Sequence, residues 1–428
     1  MSQYRAVRGM VDVLPDETSL WQMLEQTARD VIGAHGYSEI RTPLVERTEL
    51  FARSIGEVTD IVEKEMYSFT DRNDEGLSLR PEGTASTVRA MVQHNLIQSA
   101  QRVWYMGPMF RYERPQKGRQ RQFHQLGVEA FGVPTPDQDA ELLLLCRQWW
   151  KRLGIDDVVT LELNTIGSAE SRHAYKQALT AYLRQHVESL DEDSQRRLET
   201  NPLRILDSKS TATQNVVADA PAMATFLDDE SKVHHDQLCE LLRQAGLSFV
   251  ANPNLVRGLD YYNKTVFEWT TDRLGAQATV CGGGRYDGMV GQFGGKATPA
   301  AGFAAGLERL IMLLQTLEVD ATDPPDLYVI SADSNALSQA MLEADRIRTE
   351  FPGLRVVQHL GGGSLKSQFK RADKSGASWA MVYGPDELAQ GTVTVKPLRT
   401  NDEQTSLDRG ALNEFLHRLE RLASDIEE

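Results

Sequence analysis

Two pairs of apolar runs, each turning back across a short polar connector, constrain this chain more than any other feature. Residues 102–112 (RVWYMGPMFRY) and 121–131 (RQFHQLGVEAF) flank ERPQKGRQ, while residues 264–271 (KTVFEWTT) and 277–281 (QATVC) flank DRLGAQ. Strands joined so closely pair antiparallel, because a parallel partner needs a long crossover. The first two-thirds of the chain is therefore predicted to be α+β around a largely antiparallel sheet. Ahead of the hairpins, Leu20, Trp21, Leu24, Ala28, Val31 and Ile32 recur at helical spacing over 17–35, and Gly36 stands where a helix should stop. Between the hairpins, residues 170–245 are polar, charge-dense and helix-prone, which predicts an inserted helical subdomain.

The pattern changes after EVDATDPPD, residues 318–326. Strand-like DLYVISAD, LRVVQHL, WAMVYGP and TVTVKPL then alternate with helix-like ALSQAMLEADRIRTEF and SLKSQFKRADKSG, before a closing helix. That alternation predicts a separate α/β domain with a mixed sheet. Residues 1–322 and 326–428 are thus expected to be two domains, since 428 residues exceed what one core usually organises. The three cysteines, Cys146, Cys239 and Cys281, form no CxxC pair. No metal ligands are assigned, and a reducing cytoplasm is the expected compartment. No apolar run approaches the roughly 18 residues of a membrane helix, and MSQYRAVRGMVDVLPDE lacks the apolar stretch of a signal peptide. No membrane partner is expected.

Chemistry is easiest to place on the first hairpin. Alternation along its second strand puts Leu126, Val128 and Ala130 on one face and Gln125, Gly127 and Glu129 on the other. Large–small–large on a polar face makes a floor on which something can lie. From Arg111 to Arg121 stand five basic residues (Arg111, Arg114, Lys117, Arg119, Arg121) against one acid, Glu113. In a chain of net charge −15 that concentration points to phosphate, which arginine binds in bidentate fashion. Pro115 and Gly118 suggest a long, mobile connector suited to clamping a ligand. A second cluster, VRGLDYYNKTVFEW at 256–269, sets Arg257 beside Tyr261 and Tyr262. A third, CGGGRYDGMVGQFGG at 281–295, is rich in glycine, which is costly inside a strand unless something approaches the backbone closely. Neither common phosphate cradle is present: Asp287 occupies the third glycine of GxGxxG, and Val290 and Ala297 break a P-loop. Finally, AAGFAAGLERL at 300–310 carries Glu308 and Arg309 at the start of a helix.

Together these segments resemble the three motifs of class II aminoacyl-tRNA synthetases. TPLVERTELFARSIGEVTDIV at 42–62, with Pro43, looks like motif 1; FRYERPQKGRQRQFHQLGVEAFG looks like motif 2; AAGFAAGLERL looks like motif 3. RPEGT at 80–84, VRGLDYYNKTVFEW and GGGRYDG are similar to segments specific to the histidyl-tRNA synthetases of bacteria, and the resemblance runs from Arg8 to the closing helix. It implies a class II catalytic domain with an antiparallel sheet and a helical insertion, then a C-terminal anticodon-binding domain. It also implies activation of L-histidine by ATP with Mg²⁺, transfer to the 3′ end of tRNA(His), and a homodimer joined partly through motif 1.

By the same resemblance, Glu82, Thr84 and Gln125 would hold the α-amino group. Glu129 and Tyr262 would bind the imidazole, beside Tyr261 and with Tyr286 closing the pocket. Arg111 would grip the α-phosphate and Arg309 the γ-phosphate, with Arg119 helping to hold ATP. Arg257 would bridge the histidine carboxylate and the α-phosphate, which makes it and Arg111 the catalytic pair. Arg114, Gln116 and Lys117 would meet the acceptor end of tRNA. On SLKSQFKRADK, Lys366, Lys370 and Lys374 recur at i, i+4, i+8 and so share one helix face; the stripe is either a solvated face or, since the resemblance assigns this domain to anticodon binding, a contact for tRNA phosphates. A non-catalytic regulatory paralogue of histidine biosynthesis is the alternative. Such proteins lose catalytic arginines and usually the C-terminal domain, both of which this chain has.

Overall fold

Both hairpins pair antiparallel and lie in one eight-stranded sheet. In this computed structural model, residues 4–56, 59, 61–275 and 278–427 are described. Glu57, Val58 and Asp60 of the 42–62 segment, and Ala276 and Gln277 of the second connector and its strand, lie outside the described residues. The chain divides into two units, Met1–Asp320 and Ala321–Glu428.

The sheet of the first unit contains β1 (Ser38–Glu39), β2 (Gln101–Phe110), β3 (Gln122–Phe131), β4 (Thr160–Thr165), β5 (Val250–Ala251), β6 (Asn263–Thr270), β7 (Thr279–Arg285) and β8 (Ala300–Gly306). Their spatial order is β1-β2-β3-β8-β7-β6-β4-β5. The inner pairings are antiparallel, and only the edge pairs β1–β2 and β4–β5 are parallel. Strand β7 runs through Gly282, Gly283 and Gly284, further than the 277–281 run suggested.

The period-two alternation divides the two faces. Leu126, Val128 and Ala130 of β3 enter a large core with α1 (Thr18–Ala34) and with Leu142, Leu145, Trp149 and Trp150 of a later helix, Pro136–Arg152. That later helix starts where Pro136 presets φ at N1, and it places Asp137 and Asp139 in its first turn and Lys151 and Arg152 in its last, in accord with the helix dipole. On the opposite face, α2 (Thr84–Gln93) packs Ala85, Val88 and Met91 against Tyr261, Tyr262 and Tyr286. The helix Pro136–Arg152 is α3.

The predicted insertion splits into two parts. Helix α4 (Ala169–Gln185) and the short helices after it enclose a small core of their own, including Tyr175, Leu179, Leu198, Ile205 and Val217. Helix α5 (Asp229–Gln244) instead joins the main core through Leu238 and Leu242, one turn apart. The charge density that marked 170–245 belongs to the outer face of α5 as well, which hid this difference in the sequence. Helix α6 (Leu307–Thr316) follows β8 and packs Leu310, Leu313 and Leu314 into the same core.

The second unit is a five-stranded mixed sheet of β9 (Leu327–Ser331), β10 (Val356–Gln358), β11 (Trp379–Tyr383), β12 (Thr392–Pro397) and β13 (Thr405–Asp408), ordered β10-β9-β11-β12-β13. Strand β9 is buried along its whole length, as expected of a central parallel strand covered on both faces. Helices α7 (Leu337–Glu350) and α9 (Arg409–Glu427) feed one core, and α8 (Leu365–Lys374) feeds the other through Ala372. Strand β13 and a short helix, Pro385–Gln390, escape the sequence reading: the strand is four residues long, largely exposed and without apolar alternation. No helix among the described residues is long and apolar enough to cross a membrane.

Close approach between β7 and β8 makes a specific demand. A Cβ at position 283 would overlap the carbonyl oxygen of Gly302 and the Cα of Phe303. Both obstacles lie on the neighbouring strand, so neither can swing aside. We expect Gly283→Ala to destabilise the first unit by at least the ~1–3 kcal/mol typical of an overpacked core. A lowered urea midpoint checks this, and an unchanged midpoint would show that β7 and β8 can part freely.

Candidate active site

The residues expected to meet histidine and ATP all line one cleft of about 1290 Å³. Its innermost part is built on the polar floor of β3. Glu129 is 1% exposed, and its carboxyl accepts from Thr84 Oγ1 at 2.8 Å, from Tyr105 OH at 3.3 Å and from Tyr286 OH. Burial, partly offset by these donors, pushes its pKa up to about 8. The space above Gly127 is taken by the ring of Tyr105, which a Cβ there would overlap. The small residue on the floor therefore accommodates the protein's own side chain.

Around this carboxyl stand three tyrosines. Tyr261 and Tyr262 have ring centroids 4.6 Å apart, and Tyr286 meets Tyr261 edge-on at 5.6 Å. Burial raises the pKa of all three phenols, so each remains a neutral hydroxyl. Glu82, also buried, accepts from the backbone N–H groups of Thr84 and Ala85 at 2.6 and 2.9 Å and so holds the first turn of α2. Gln125 Oε1 is buried with no hydrogen-bond partner in the protein. An orphaned acceptor lining a cleft is a position for a donor on a ligand.

The cations occupy a second region. Arg111 lies over Phe123 at 5.2 Å and donates through Nε to the Pro81 carbonyl at 2.8 Å. Arg309, in the first turn of α6, donates to the carbonyls of Thr279 at 2.6 Å and Gly118 at 3.3 Å. Its pKa is lowered by burial first and then by the Arg119 and Arg111 cations. Arg309, Arg119 and Arg111 thus share one part of the cleft, an arrangement that can receive an anion. Arg119 itself is exposed and paired with Glu113 at 2.7 Å. Arg257 pairs with Glu268 and lies over Tyr262 at 5.7 Å; burial acts against its charge, but Glu268 and the tyrosines outweigh it and hold the guanidinium firmly protonated.

The connector 111–121 is not the free loop its composition suggested. Gln116 and Arg119 exchange two backbone hydrogen bonds at 3.0 and 2.9 Å, Arg121 N donates to the Gly9 carbonyl at 2.7 Å, and the Arg121 guanidinium stacks on Tyr112. Arg114, Gln116 and Lys117 are exposed at this turn and do not line the cleft. In the second unit, Lys366, Lys370 and Lys374 are exposed on α8, whose inward face is Gln368 and Ala372.

The family model for histidyl-tRNA synthetase matches residues 9–310, and the model for an anticodon binding domain matches residues 326–419. The chain belongs to the histidyl-tRNA synthetase family. It is similar to the histidyl-tRNA synthetase of S. aureus, with 32% identity, 97% of this chain and 100% of that chain covered, and a TM-score of 0.80. A Nostoc histidyl-tRNA synthetase, 20% identical over 97% of this chain and 99% of that one, shares the fold at a TM-score of 0.70. So does a Bacillus halodurans protein described as an ATP phosphoribosyltransferase regulatory subunit/histidyl-tRNA synthetase, 22% identical over 89% of this chain and 98% of that one, at a TM-score of 0.64.

Around this synthetase-family cleft, sequence reasoning missed two residues, Glu268 and Tyr105, and named a third, Glu308, without giving it a role. Glu268 pairs with Arg257, and its signal was a lone acid in the apolar strand VFEW. Tyr105 reaches Glu129 from a strand read only for its apolar content. Glu308 accepts from the His124 backbone N–H at 2.9 Å and so ties α6 to β3. A pH test follows from Glu129. Between the usual carboxylate range and about 8, the folded chain holds a proton there that the unfolded chain has lost. Raising the pH through that window therefore costs the protein stability, and the cost is constant above it. Glu129→Gln should gain stability relative to the parent between about pH 5 and about pH 9. Urea midpoints of both proteins across that range check it; a gap that stays constant would mean Glu129 ionises normally.

Proposed function

We propose that the protein is a histidine–tRNA ligase that forms histidyl-adenylate from L-histidine and ATP and passes the histidyl group to the terminal ribose of tRNA(His). The observation that carries this reading is the pairing, in one cleft, of a deeply buried carboxyl walled by tyrosines with the guanidinium groups of Arg111, Arg119, Arg257 and Arg309, of which Arg111 and Arg309 rest on backbone carbonyls. The buried carboxyl suits the N–H of an imidazole. The unpartnered Gln125 oxygen suits the α-amino group, next to Thr84 and Glu82. Arg111, Arg119 and Arg309 suit the phosphates.

In the reaction we propose, a histidine carboxylate oxygen attacks the α-phosphorus of ATP in line. The bond to the bridging oxygen breaks, and pyrophosphate leaves with its electron pair. The adenylate then gives its acyl group to a ribose hydroxyl of tRNA, and AMP leaves. Neither step needs a nucleophile from the protein, so the work is alignment of two anions and neutralisation of charge growing on the α-phosphate. Arg257 and Arg111 are our candidates for that work. Among the described residues no three His, Cys, Asp or Glu side chains converge on a metal position. Mg²⁺, expected with ATP, would then be held largely by phosphate oxygens and water, its usual manner with nucleotides. A regulatory paralogue could dispense with the arginines, and their place along the cleft favours the enzyme. We extend the reading to a cytoplasmic homodimer joined partly through the 42–62 segment.

Histidine-dependent exchange of pyrophosphate into ATP tests the first step. We expect exchange with histidine and not with threonine, proline or glycine; no exchange with any of them would overturn the proposal. Arg257→His should lower kcat by about 10²–10³, the usual loss of one charged transition-state contact, with little change in the KM for histidine. A change confined to KM would reduce Arg257 to a binding role.

For tRNA, the exposed stripe on α8 is our candidate for backbone phosphates. Lys366→Ala/Lys370→Ala/Lys374→Ala should weaken tRNA binding and flatten its dependence on salt, since fewer counterions are released. Pyrophosphate exchange, which needs no tRNA, should be unchanged. Normal tRNA binding by the triple variant at low and high salt would place the contacts elsewhere.

A further inference from the structure

Arg285 precedes Tyr286, is 0% exposed and does not line the cleft. Its Nη1 donates to Asp139 Oδ1 at 2.8 Å, its Nη2 to the Val133 carbonyl, and its Nε lies 3.4 Å from Asp287 Oδ1. Asp139, in the first turn of α3, is 1% exposed. Its other oxygen accepts from Thr265 Oγ1 at 2.6 Å and lies 2.7 Å from Nε2 of the buried His234 on α5. A buried ionic cluster of this kind is weak as a device for stability, because well-packed apolar groups often do as well. Its better-attested use is to fix one arrangement among several.

The arrangement in question is that of the tyrosines. The Tyr286 hydroxyl donates to Glu129. One residue on, Asp287 N donates to Asn263 Oδ1 at 2.8 Å, and Asn263 Nδ2 donates back to Asp287 Oδ2 at 2.9 Å. Asn263 directly follows Tyr262, whose carbonyl accepts from Arg172 of α4. Tyr262 and Tyr286 are thus each followed by one half of a reciprocal clasp, and the clasp rests on Arg285.

We propose that Arg285 is a positioning residue for amino-acid recognition. By fixing the end of β7 to Asp139 of α3, it sets the Tyr286 hydroxyl on Glu129, and through Asp287 and Asn263 it sets Tyr262. Arg285 touches no substrate itself. The inference rests on the reading of this cleft as the histidine pocket.

A double-mutant cycle on the full chain, followed by histidine-dependent pyrophosphate exchange, tests it. Arg285→Lys should raise the KM for histidine about tenfold and leave the KM for ATP within about twofold. In a Tyr286→Phe background the same substitution should raise the histidine KM by clearly less than about tenfold, because one of the two hydroxyls it positions is gone. Equal losses for both substrates, additivity with Tyr286→Phe, or a lowered melting temperature with unchanged histidine KM would each overturn the proposal. Should Arg285→Lys not fold, Asn263→Ala opens the clasp at a less buried point. It should raise the histidine KM selectively, and an unchanged KM would overturn the proposal equally. If the unsubstituted protein shows no histidine-dependent exchange, the ligase reading fails first and this inference falls with it.

Discussion

A carboxyl group placed where water cannot reach it governs the first unit. Glu129 sits near the end of β3, and its removal from water has to be offset by donors. Those donors come from far along the chain: Thr84 at the start of α2, Tyr105 on β2 and Tyr286 just beyond β7. The register of the sheet brings them together, with Tyr105 opposite Gly127 and Gly302 opposite Glu129. A slip of one residue would turn Glu129 into the packed core and Leu126 and Val128 toward the cleft. The binding surface and the hydrophobic core are thus set by the same alternation.

Charge is sorted by depth and by region. The buried carboxyl is pushed toward its neutral form, while the nearby arginines face one another with few counter-ions. Arg257 and Arg119 are the exceptions, paired with Glu268 and Glu113. An incoming anion would therefore meet Arg111 and Arg309 as cations held by backbone carbonyls and Arg257 as a cation already oriented by Glu268. Preorganised charge of this kind loses little in rearrangement when a reaction develops negative charge beside it.

The helical insertion is more closely joined to the pocket than a separate subdomain would be. Helix α5 contributes His234 to the cluster around Asp139, and α4 contributes Arg172 to the Tyr262 carbonyl. Both contacts end on the supports of pocket tyrosines.

The alternation of residues 122–131, the hairpin connector, the helical spacing of α1 and the change of pattern after residue 318 are local properties, and each was legible in the amino-acid sequence. So were the chemical types in the cleft, because arginine and glutamate are conspicuous where apolar residues surround them. Pairing was not legible. Nothing within VRGLDYYNKTVFEW says that Arg257 turns back onto Glu268, and nothing near Tyr105 says that it will cover Gly127. Composition assigned 170–245 to one inserted body, yet two leucines one turn apart send α5 into the main core. Arg285 and Asp139 are 146 residues apart, and only the folded sheet makes them partners. Local sequence carries backbone preference and the sorting of faces, since these depend on neighbours along the chain. Which buried charge meets which depends on the packing of distant elements, and that was decided by the tertiary structure alone.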